Sequence, residues 1–341
     1  MNAIIPIILA GGSGKRLWPI SRPELPKQFA PIFGKSNPTL FQNTLLRLQE
    51  LLAKPPIIIC NQNHAALVQK QLQEVEIKNA KVILEPLAKN TAPAIAIAAF
   101  LTLQEQKNPT LLVLPSDHVI DDTASFITAV ALADKLANRG DLVCFGIKPT
   151  SAETEYGYLQ AGEKLSFANS YKIARFVEKP NAILARRYLK AGNYYWNSGM
   201  FVFQAESFLQ ELQAFAPDIF AVSKQIVTKL RSTSNLFKIP KAQFAKCRSD
   251  SIDYAVMEHT QKGALVELDA GWNDIGSLPV LWQYLPKDQK GNVIFGDIYF
   301  NNDDNLYIHA LTHKVVAKEV KNCIIVEMEN DVLVVSMQGT K

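Results

Sequence analysis

IIPIILAGGSGKRLWPISRPELPKQF, residues Ile4 to Phe29, decides how the rest of the chain is read. Ile4 to Ala10 is an apolar run broken only by Pro6, and it ends abruptly in Gly11, Gly12, Ser13 and Gly14. A buried strand entering a glycine-rich turn leaves bare N–H groups at the C-terminal edge of its sheet, where open α/β sheets bind ligands. Successive bare N–H groups form an anion-binding concavity. Lys15 and Arg16 follow at once, and Lys27 comes soon after. Arg16 and Lys27 add fixed positive charge suited to a polyphosphate. Two familiar phosphate loops do not fit. The dinucleotide fingerprint, started at Gly12, requires glycine where Leu17 stands, and the Walker A pattern requires Ser or Thr where Arg16 follows Lys15. The stretch therefore reads as a phosphate loop of another kind, against the plainer alternative of a strand-to-helix turn.

The rest of the composition narrows the function class. A chain of 341 residues holds one large or two modest domains. Its net charge of +4 is too weak and too scattered for a nucleic-acid surface and suits a small anionic substrate. Cys60, Cys144, Cys247 and Cys323 are far apart, without a CxxC pair, so reduced thiols are expected. The N-terminus lacks a basic leader region, and the longest apolar run, Ala92–Leu103, is too short to span a membrane. A soluble, cytoplasmic protein is expected.

To about residue 147, short apolar runs alternate with helical patterns. Ile4–Leu9, Ile57–Cys60, Val82–Leu84, Leu111–Leu114 and Leu142–Phe145 read as buried strands. Leu40–Leu52, Ala65–Glu74, Thr91–Leu103 and Ala124–Ala137 read as helices, with Asn37-Pro38 and Asn90-Thr91 as their starts. This alternation predicts a mostly parallel sheet covered on both faces. After Pro149 the pattern becomes α+β: strands at Tyr156–Ala161, Tyr171–Val177, Trp196–Phe203 and Ala264–Leu268, and helices at 181–191, 206–215, 218–230 and 251–258. A compositional break near Pro286–Gly291 precedes short strands at near-even spacing, which predict a β-meander or the turns of a β-helix. The expected domains are 1–286, in two parts that meet at about residue 150, and a β-rich module at 287–341. The module's apolar strands need a partner, so dimerisation there is expected.

The opening stretch resembles the signature of the sugar-1-phosphate nucleotidyltransferases, most closely the mannose-1-phosphate guanylyltransferases. The resemblance continues, in family order, through EPLAKNTAPAI (Glu85–Ile95), LPSDHVI (Leu114–Ile120), EYGY (Glu155–Tyr158), FVEKP (Phe176–Pro180), WNSGMF (Trp196–Phe201), SIDYAVME (Ser251–Glu258) and GWNDIGS (Gly271–Ser277). It spans about residues 3 to 280. Two positions depart from it: the signature usually has Ser or Thr where Lys15 stands, and more often Arg at Lys89. Bifunctional members add a C-terminal isomerase cupin. Ending at Lys341, the chain resembles the shorter type, whose tail is a left-handed β-helix that pairs subunits.

The resemblance implies a Rossmann-like α/β domain with a mixed, mostly parallel sheet and a small β-helical module. Within residues 1–286 it implies nucleotide binding for the part to about 150 and sugar-phosphate binding for the part from 151. The implied reaction joins GTP and mannose 1-phosphate to give GDP-mannose and diphosphate in a cytoplasmic homodimer, with no nucleic-acid or membrane partner. The nucleophile is already anionic, so charge neutralisation and positioning replace a general base. Asp117 and Asp274 would hold Mg²⁺; as bare sequence, each reads equally well as a helix cap or turn residue. Arg16 would neutralise the β- and γ-phosphates, Lys27 the α-phosphate, and Lys179 the sugar phosphate. Glu178 and Asn197 are the sugar-hydroxyl candidates, with Gly157 offering its backbone; an ion pair and a turn are their alternatives. GTP contacts fall to Gly11, Gly12, Gly14, Lys15, Glu85, Asn90 and Thr91, with Glu85 accepting from guanine and helix capping the alternative for Asn90 and Thr91.

His118, His309, His313 and Asp253 receive no place in this set: His118 reads as a loop anchor, His309 and His313 as strand residues, Asp253 as a helix brace. Two rivals remain. A uridylyl- or thymidylyltransferase of the same fold is opposed by the NTAPAI and WNSGMF wording. A non-catalytic regulatory subunit is opposed by the presence of Arg16, Lys27, Asp117, Lys179 and Asp274 together.

Overall fold

A computed structural model describes residues 4–12, 15–51, 54–301 and 304–337. The chain forms two compact units, neither continuous in sequence. The first draws on Met1–Gly11, Leu46–Ser116 and Ile120–Trp272; the second on Gly12–Leu45, Asp117–Val119 and Asn273–Lys341.

The first unit is built on an eleven-stranded mixed sheet. Its strands are β1 (Ile5–Leu9), β2 (Ile57–Asn61), β3 (Lys81–Glu85), β4 (Thr110–Pro115), β5 (Leu142–Ile147), β6 (Tyr158–Lys164), β7 (Ser170–Val177), β8 (Tyr194–Gln204), β9 (Ser232–Thr233), β10 (Leu236–Lys238) and β11 (Gly263–Glu267). The spatial order is β5-β11-β7-β6-β8-β4-β1-β2-β3-β10-β9. The central run β4-β1-β2-β3 is parallel throughout, with Ile7 opposite both Ile57 and Val113. The order reverses direction beside β1, and ligands of open α/β sheets bind at the strand C-termini there. β4 is flanked on its other side by antiparallel β8, and β6, β7 and β8 form an antiparallel group.

The strands expected from the sequence are present within a few residues at each end. The short pair β9 and β10, which extends the sheet beyond β3, was not expected. β1 to β5 are apolar because both faces are covered: Ile7, Ile8, Ile58, Leu112, Val113 and Cys144 have no exposed surface. The helix Thr91–Leu103 is buried nearly all round, from Ala92 to Leu101, which explains its unbroken apolar composition. Each such Leu or Ile contributes on the order of 1.5–3 kcal/mol of hydrophobic stabilisation. Cys60, Cys144 and Cys247 are buried free thiols, and Cys323 is a partly buried one. Among the described residues no helix is long and apolar enough to cross a membrane.

The second unit centres on Leu17, Ile20, Ile32, Leu40, Val119, Ile275, Leu278, Leu281, Leu285, Tyr307, Ile324 and Val326. Its C-terminal strands are β12 (Val293–Phe295), β13 (Ile298–Asn301), β14 (Asp304–Ala310), β15 (Val315–Lys318), β16 (Lys321–Met328) and β17 (Asp331–Ser336). β12, β14 and β16 pair in parallel, as do β13 and β15, and β17 closes the larger sheet antiparallel to β16. Parallel pairing of alternate strands is the stacking of a β-helix, not of a meander. The boundary expected at residues 286–287 falls within this unit, because Leu278, Leu281 and Leu285 pack in one core with Val293, Tyr307 and Ile324.

One helix start differs from expectation. The helix Leu40–Gln49 is opened by Thr39, not by Asn37-Pro38. Gln42 N donates to Thr39 Oγ1 at 3.2 Å, and Thr39 N donates to Gln42 Oε1 at 2.9 Å. Thr39 and Gln42 have the spacing of a capping box, and this reciprocal pair satisfies two donors where an Asn cap would satisfy one.

Candidate active site

The expected site residues divide between the two units. In the second unit, the chain leaves Gly12 and resumes in a 3₁₀ turn, Lys15–Leu17, whose Leu17 is fully buried and whose Arg16 is exposed. Gly14 and the side chain of Lys15 lie outside the described residues. A second 3₁₀ turn, Lys27–Phe29, follows Pro26. Phe29 anchors it edge-on to Phe41 with ring centres 5.2 Å apart, and Gln28 Nε2 donates to Gly12 O at 3.0 Å. These anchors bury Lys27, leaving 8 % of its side chain exposed.

Lys27 Nζ donates to Asp117 Oδ2 at 3.0 Å and also to the backbone carbonyl of Asp274. Asp117 and Asp274 are carried together by their neighbours: Val119 N donates to Asn273 O at 2.8 Å and Asn273 N to Val119 O at 3.1 Å. Burial works to raise the Asp117 carboxyl, but Lys27 and His118 outweigh it and hold it below its ordinary range. His118 Nε2 lies 3.8 Å from Asp117 Oδ1, on the opposite oxygen from Lys27. Ile275, directly after Asp274, is buried with φ of 45°, a left-handed backbone that β-branched residues rarely adopt. Ile275 N donates to Asn273 Oδ1 at 2.7 Å, which holds that turn.

In the first unit, Gly11 follows β1 and Glu85 ends β3. A Cβ on Gly11 would come within 3.2 Å of Glu85 Oε2, so the glycine keeps the carboxyl approachable. Glu85 is buried; its Oε1 has no hydrogen-bond partner among the described residues, and burial pushes its carboxyl up to about 8. Buried polar atoms are rarely left unpaired, and those that are often await a ligand. Asn90 Oδ1 accepts from Thr91 N at 2.9 Å, and Thr91 Oγ1 accepts from Ile252 N at 2.9 Å. Asn90 thus caps its helix, with φ of 65°, and Thr91 braces the segment before Asp253.

Glu178, Lys179, Asn197 and Gly157 converge in the same unit. A Cβ on Gly157 would fall 2.4 Å from Glu178 Oε2 and 3.2 Å from Asn197 Cβ, so only glycine fits beside both. Lys179 Nζ lies 3.7 Å from Glu178 Oε1, and Lys179 has φ of 46°. Burial, then the charge of Asp253, pushes the Glu178 carboxyl up to about 7 against the opposing pull of Lys179. Tyr156 packs edge-on to Trp196 and Trp272.

Asp253 is the residue that sequence reading left aside. Its Oδ1 accepts from Asn197 Nδ2 at 2.9 Å. Burial pushes its carboxyl up, against that hydrogen bond, which favours the charged form. The expected short helix here is a π turn, Asp253–Met257, a form frequent at functional sites. His309 and His313 make no metal pair. His309 is buried with Nδ1 3.0 Å from Tyr307 Oη, and His313 Nδ1 lies 2.7 Å from Glu327 Oε1.

Asp117 and Asp274 put two carboxylates on segments joined by the Val119–Asn273 bridge, and no group of three or more His, Cys, Asp or Glu among the described residues could hold a metal. Mg²⁺ commonly binds through one or two carboxylates and takes its remaining oxygens from phosphates and water, so the pair fits that ion.

Comparison with known proteins identifies the family. The nucleotidyl transferase family model matches residues 5–291. A mannose-1-phosphate guanylyltransferase of Salmonella muenchen is 46 % identical over 98 % of this chain and 70 % of its own length. The xanthan biosynthesis protein XanB of Xanthomonas campestris is 43 % identical over 98 % of this chain and 70 % of its own length. A Thermus thermophilus crystal structure, described as a mannose-1-phosphate geranyltransferase, superposes with a TM-score of 0.85 at 28 % identity, covering 98 % of this chain and 95 % of that one. The chain belongs to the nucleotidyl transferase family and, within it, to the mannose-1-phosphate guanylyltransferases.

Proposed function

We propose that the chain converts GTP and mannose 1-phosphate to GDP-mannose and diphosphate, with the work divided among the residues above. The likeness to mannose-1-phosphate guanylyltransferases over 98 % of the chain carries this reading. A phosphate oxygen of the sugar phosphate attacks the α-phosphorus of GTP in line. A new P–O bond forms as the bond to the β-phosphate bridge breaks, and diphosphate departs with the electron pair. The attacking oxygen is already anionic, so no residue has to remove a proton.

Arg16 faces the β- and γ-phosphates, Lys27 the α-phosphate, and Lys179 the phosphate of the sugar. Asp117 and Asp274 hold Mg²⁺, which when bound neutralises developing phosphate charge. Gly11, Gly12, Gly14 and Lys15 line the phosphates, and Asn90 and Thr91 shape the nucleotide side. Glu85 accepts from guanine N1–H and the exocyclic amine, a donor pair that adenine lacks. Glu178 and Asn197 read the sugar hydroxyls beside Gly157.

We place the enzyme in the cytoplasm as a homodimer. Exposed Tyr299, Val316, Val332 and Val334 on the C-terminal strands offer apolar surface to a second copy. A monomer by sedimentation at micromolar concentration would count against the dimer. For the reaction, the full chain with Mg²⁺ is supplied with each nucleoside triphosphate against several hexose 1-phosphates, and diphosphate release is measured. The pair GTP and mannose 1-phosphate is expected to give the highest kcat/KM; no turnover of that pair overturns the reading.

A further inference from the structure

An asparagine side chain has two N–H donors and a carbonyl oxygen with two lone pairs. Asn197 has one of each already committed. Its Nδ2 donates to Asp253 Oδ1 at 2.9 Å, and its Oδ1 accepts from Gly199 N at 3.1 Å. One N–H remains. The two partners also decide which way the amide faces, because turning it over would set its oxygen against a carboxylate and its NH₂ against an N–H.

Both partners are themselves held. Asp253 opens the π turn, closed by Glu258 N donating to Asp253 O at 2.9 Å. The residues before it are tied to the start of the Thr91–Leu103 helix through Ala92 N to Asp250 O at 3.1 Å and Ile252 N to Thr91 Oγ1 at 2.9 Å. Glu258 reaches the other side of the cluster, where its Oε1 accepts from Glu178 N at 3.2 Å. Asn197 N donates to Gly157 O at 2.8 Å. Asp253 is therefore fixed to the same frame that carries Glu178 and Asn197.

We propose that Asp253 is a positioning residue for the sugar: by taking one Nδ2 hydrogen of Asn197, it commits the single remaining N–H of that amide to a hydroxyl oxygen of the sugar phosphate. This rests on the reading of Glu178, Lys179 and Asn197 as the sugar-phosphate site. Asn197 then donates to one hydroxyl while Glu178 accepts from another. Without Asp253 the amide keeps its Oδ1 on Gly199 N, but its second N–H loses its acceptor and the Nδ2 group is no longer held toward the hydroxyl. Asp253 touches no substrate in this arrangement and acts through Asn197.

The test compares the full-length wild type with the variants N197A, D253A and the swap D253N/N197D, reading KM for each substrate and the melting temperature. N197A and D253A are each expected to raise KM for mannose 1-phosphate about tenfold while KM for GTP stays within about twofold. The swap restores a donor–acceptor pair between the two positions, so it regains the wild-type melting temperature. A carboxylate at position 197 has no N–H to give, so KM for mannose 1-phosphate stays raised. Recovery of wild-type KM in the swap overturns the proposal, as does a D253A variant in which both KM values rise together or neither moves. If D253A does not fold, the swap alone decides in the same way. No wild-type turnover, or an N197A variant with unchanged KM, overturns the sugar-site reading instead.

Discussion

Lys27 Nζ bonds both the side chain of Asp117, at 3.0 Å, and the main chain of Asp274. One buried cation thus contacts both segments that carry the proposed metal carboxylates. A methionine there keeps the stem and removes the charge. Lys27→Met is expected to lower kcat by about 10²–10³, the loss typical of removing one preorganised charge-stabilising group. Steady-state kinetics with both substrates saturating checks this; a kcat within about twofold of wild type would leave Lys27 a structural brace only.

Asp274→Asn keeps the shape of the side chain, the Val119–Asn273 bridge and the carbonyl that Lys27 uses. Turnover across a Mg²⁺ titration is expected to fall at least about 10²-fold, with the melting temperature close to wild type. Chelation of divalent metal should silence the wild type in the same assay. Near-normal kcat in Asp274→Asn would remove that residue from the metal site.

Glu85 supplies a pH signature. Its ordinary value of 4.5 is raised to about 8 in the folded protein by burial. The folded state therefore keeps a proton that the unfolded chain gives up. The resulting stability is complete below about 4.5 and is lost as pH rises through about 8. A tenfold difference in proton affinity between the two states is worth about 1.4 kcal/mol, so the slope is visible in thermal unfolding between about pH 4.5 and about pH 8, the two values that bound the titration. Glu85→Gln is expected to flatten it. Guanine donors favour the charged carboxylate, so GTP binding near neutral pH should release up to about one proton. Calorimetry in buffers of different ionisation enthalpy reads that proton, and Glu85→Gln should abolish it. Release unchanged in Glu85→Gln would separate Glu85 from the base.

Gly157→Ala places a methyl group 2.4 Å from Glu178 Oε2, so the carboxylate must move. KM for mannose 1-phosphate is expected to rise about tenfold or more, with KM for GTP little changed. Equal rises in both would place Gly157 outside the sugar site.

Leu281 is fully buried in the second unit's core beside Val293, Tyr307 and Ile324. Leu281→Ala is expected to cost about 2–5 kcal/mol in denaturant unfolding. A loss under about 1 kcal/mol would mean that residues 278–285 and the C-terminal strands stand apart.

Much of this was readable from residue order. Continuous apolar runs predicted β1 to β5 because a parallel sheet covered on both faces leaves no polar side. The glycines after β1 marked the proposed ligand-binding edge because they leave backbone N–H groups bare. Other features had no linear trace. The second unit is assembled from three segments, and no local pattern records that Val119 pairs with Asn273. Asn90, Lys179 and Ile275 all have positive φ, yet lysine and isoleucine are poor markers of that backbone. Asp253 looked like a helix brace because its link to Asn197 joins residues 56 positions apart.

The reach of Lys27 has a further consequence for how the enzyme comes into being. It meets Asp117 and Asp274 across 90 and 247 positions. Synthesis runs from the N-terminus, so the cation leaves the ribosome long before its last partner exists. A chain stalled or truncated ahead of Asp274 carries the glycine-rich stretch, Arg16, Lys27 and the proposed sugar-binding groups but lacks the second proposed metal carboxylate. With Asp274 in the proposed metal role, catalytic competence is a late-arriving property, acquired only when translation has passed the GWNDIGS segment and the most distant contacts have closed.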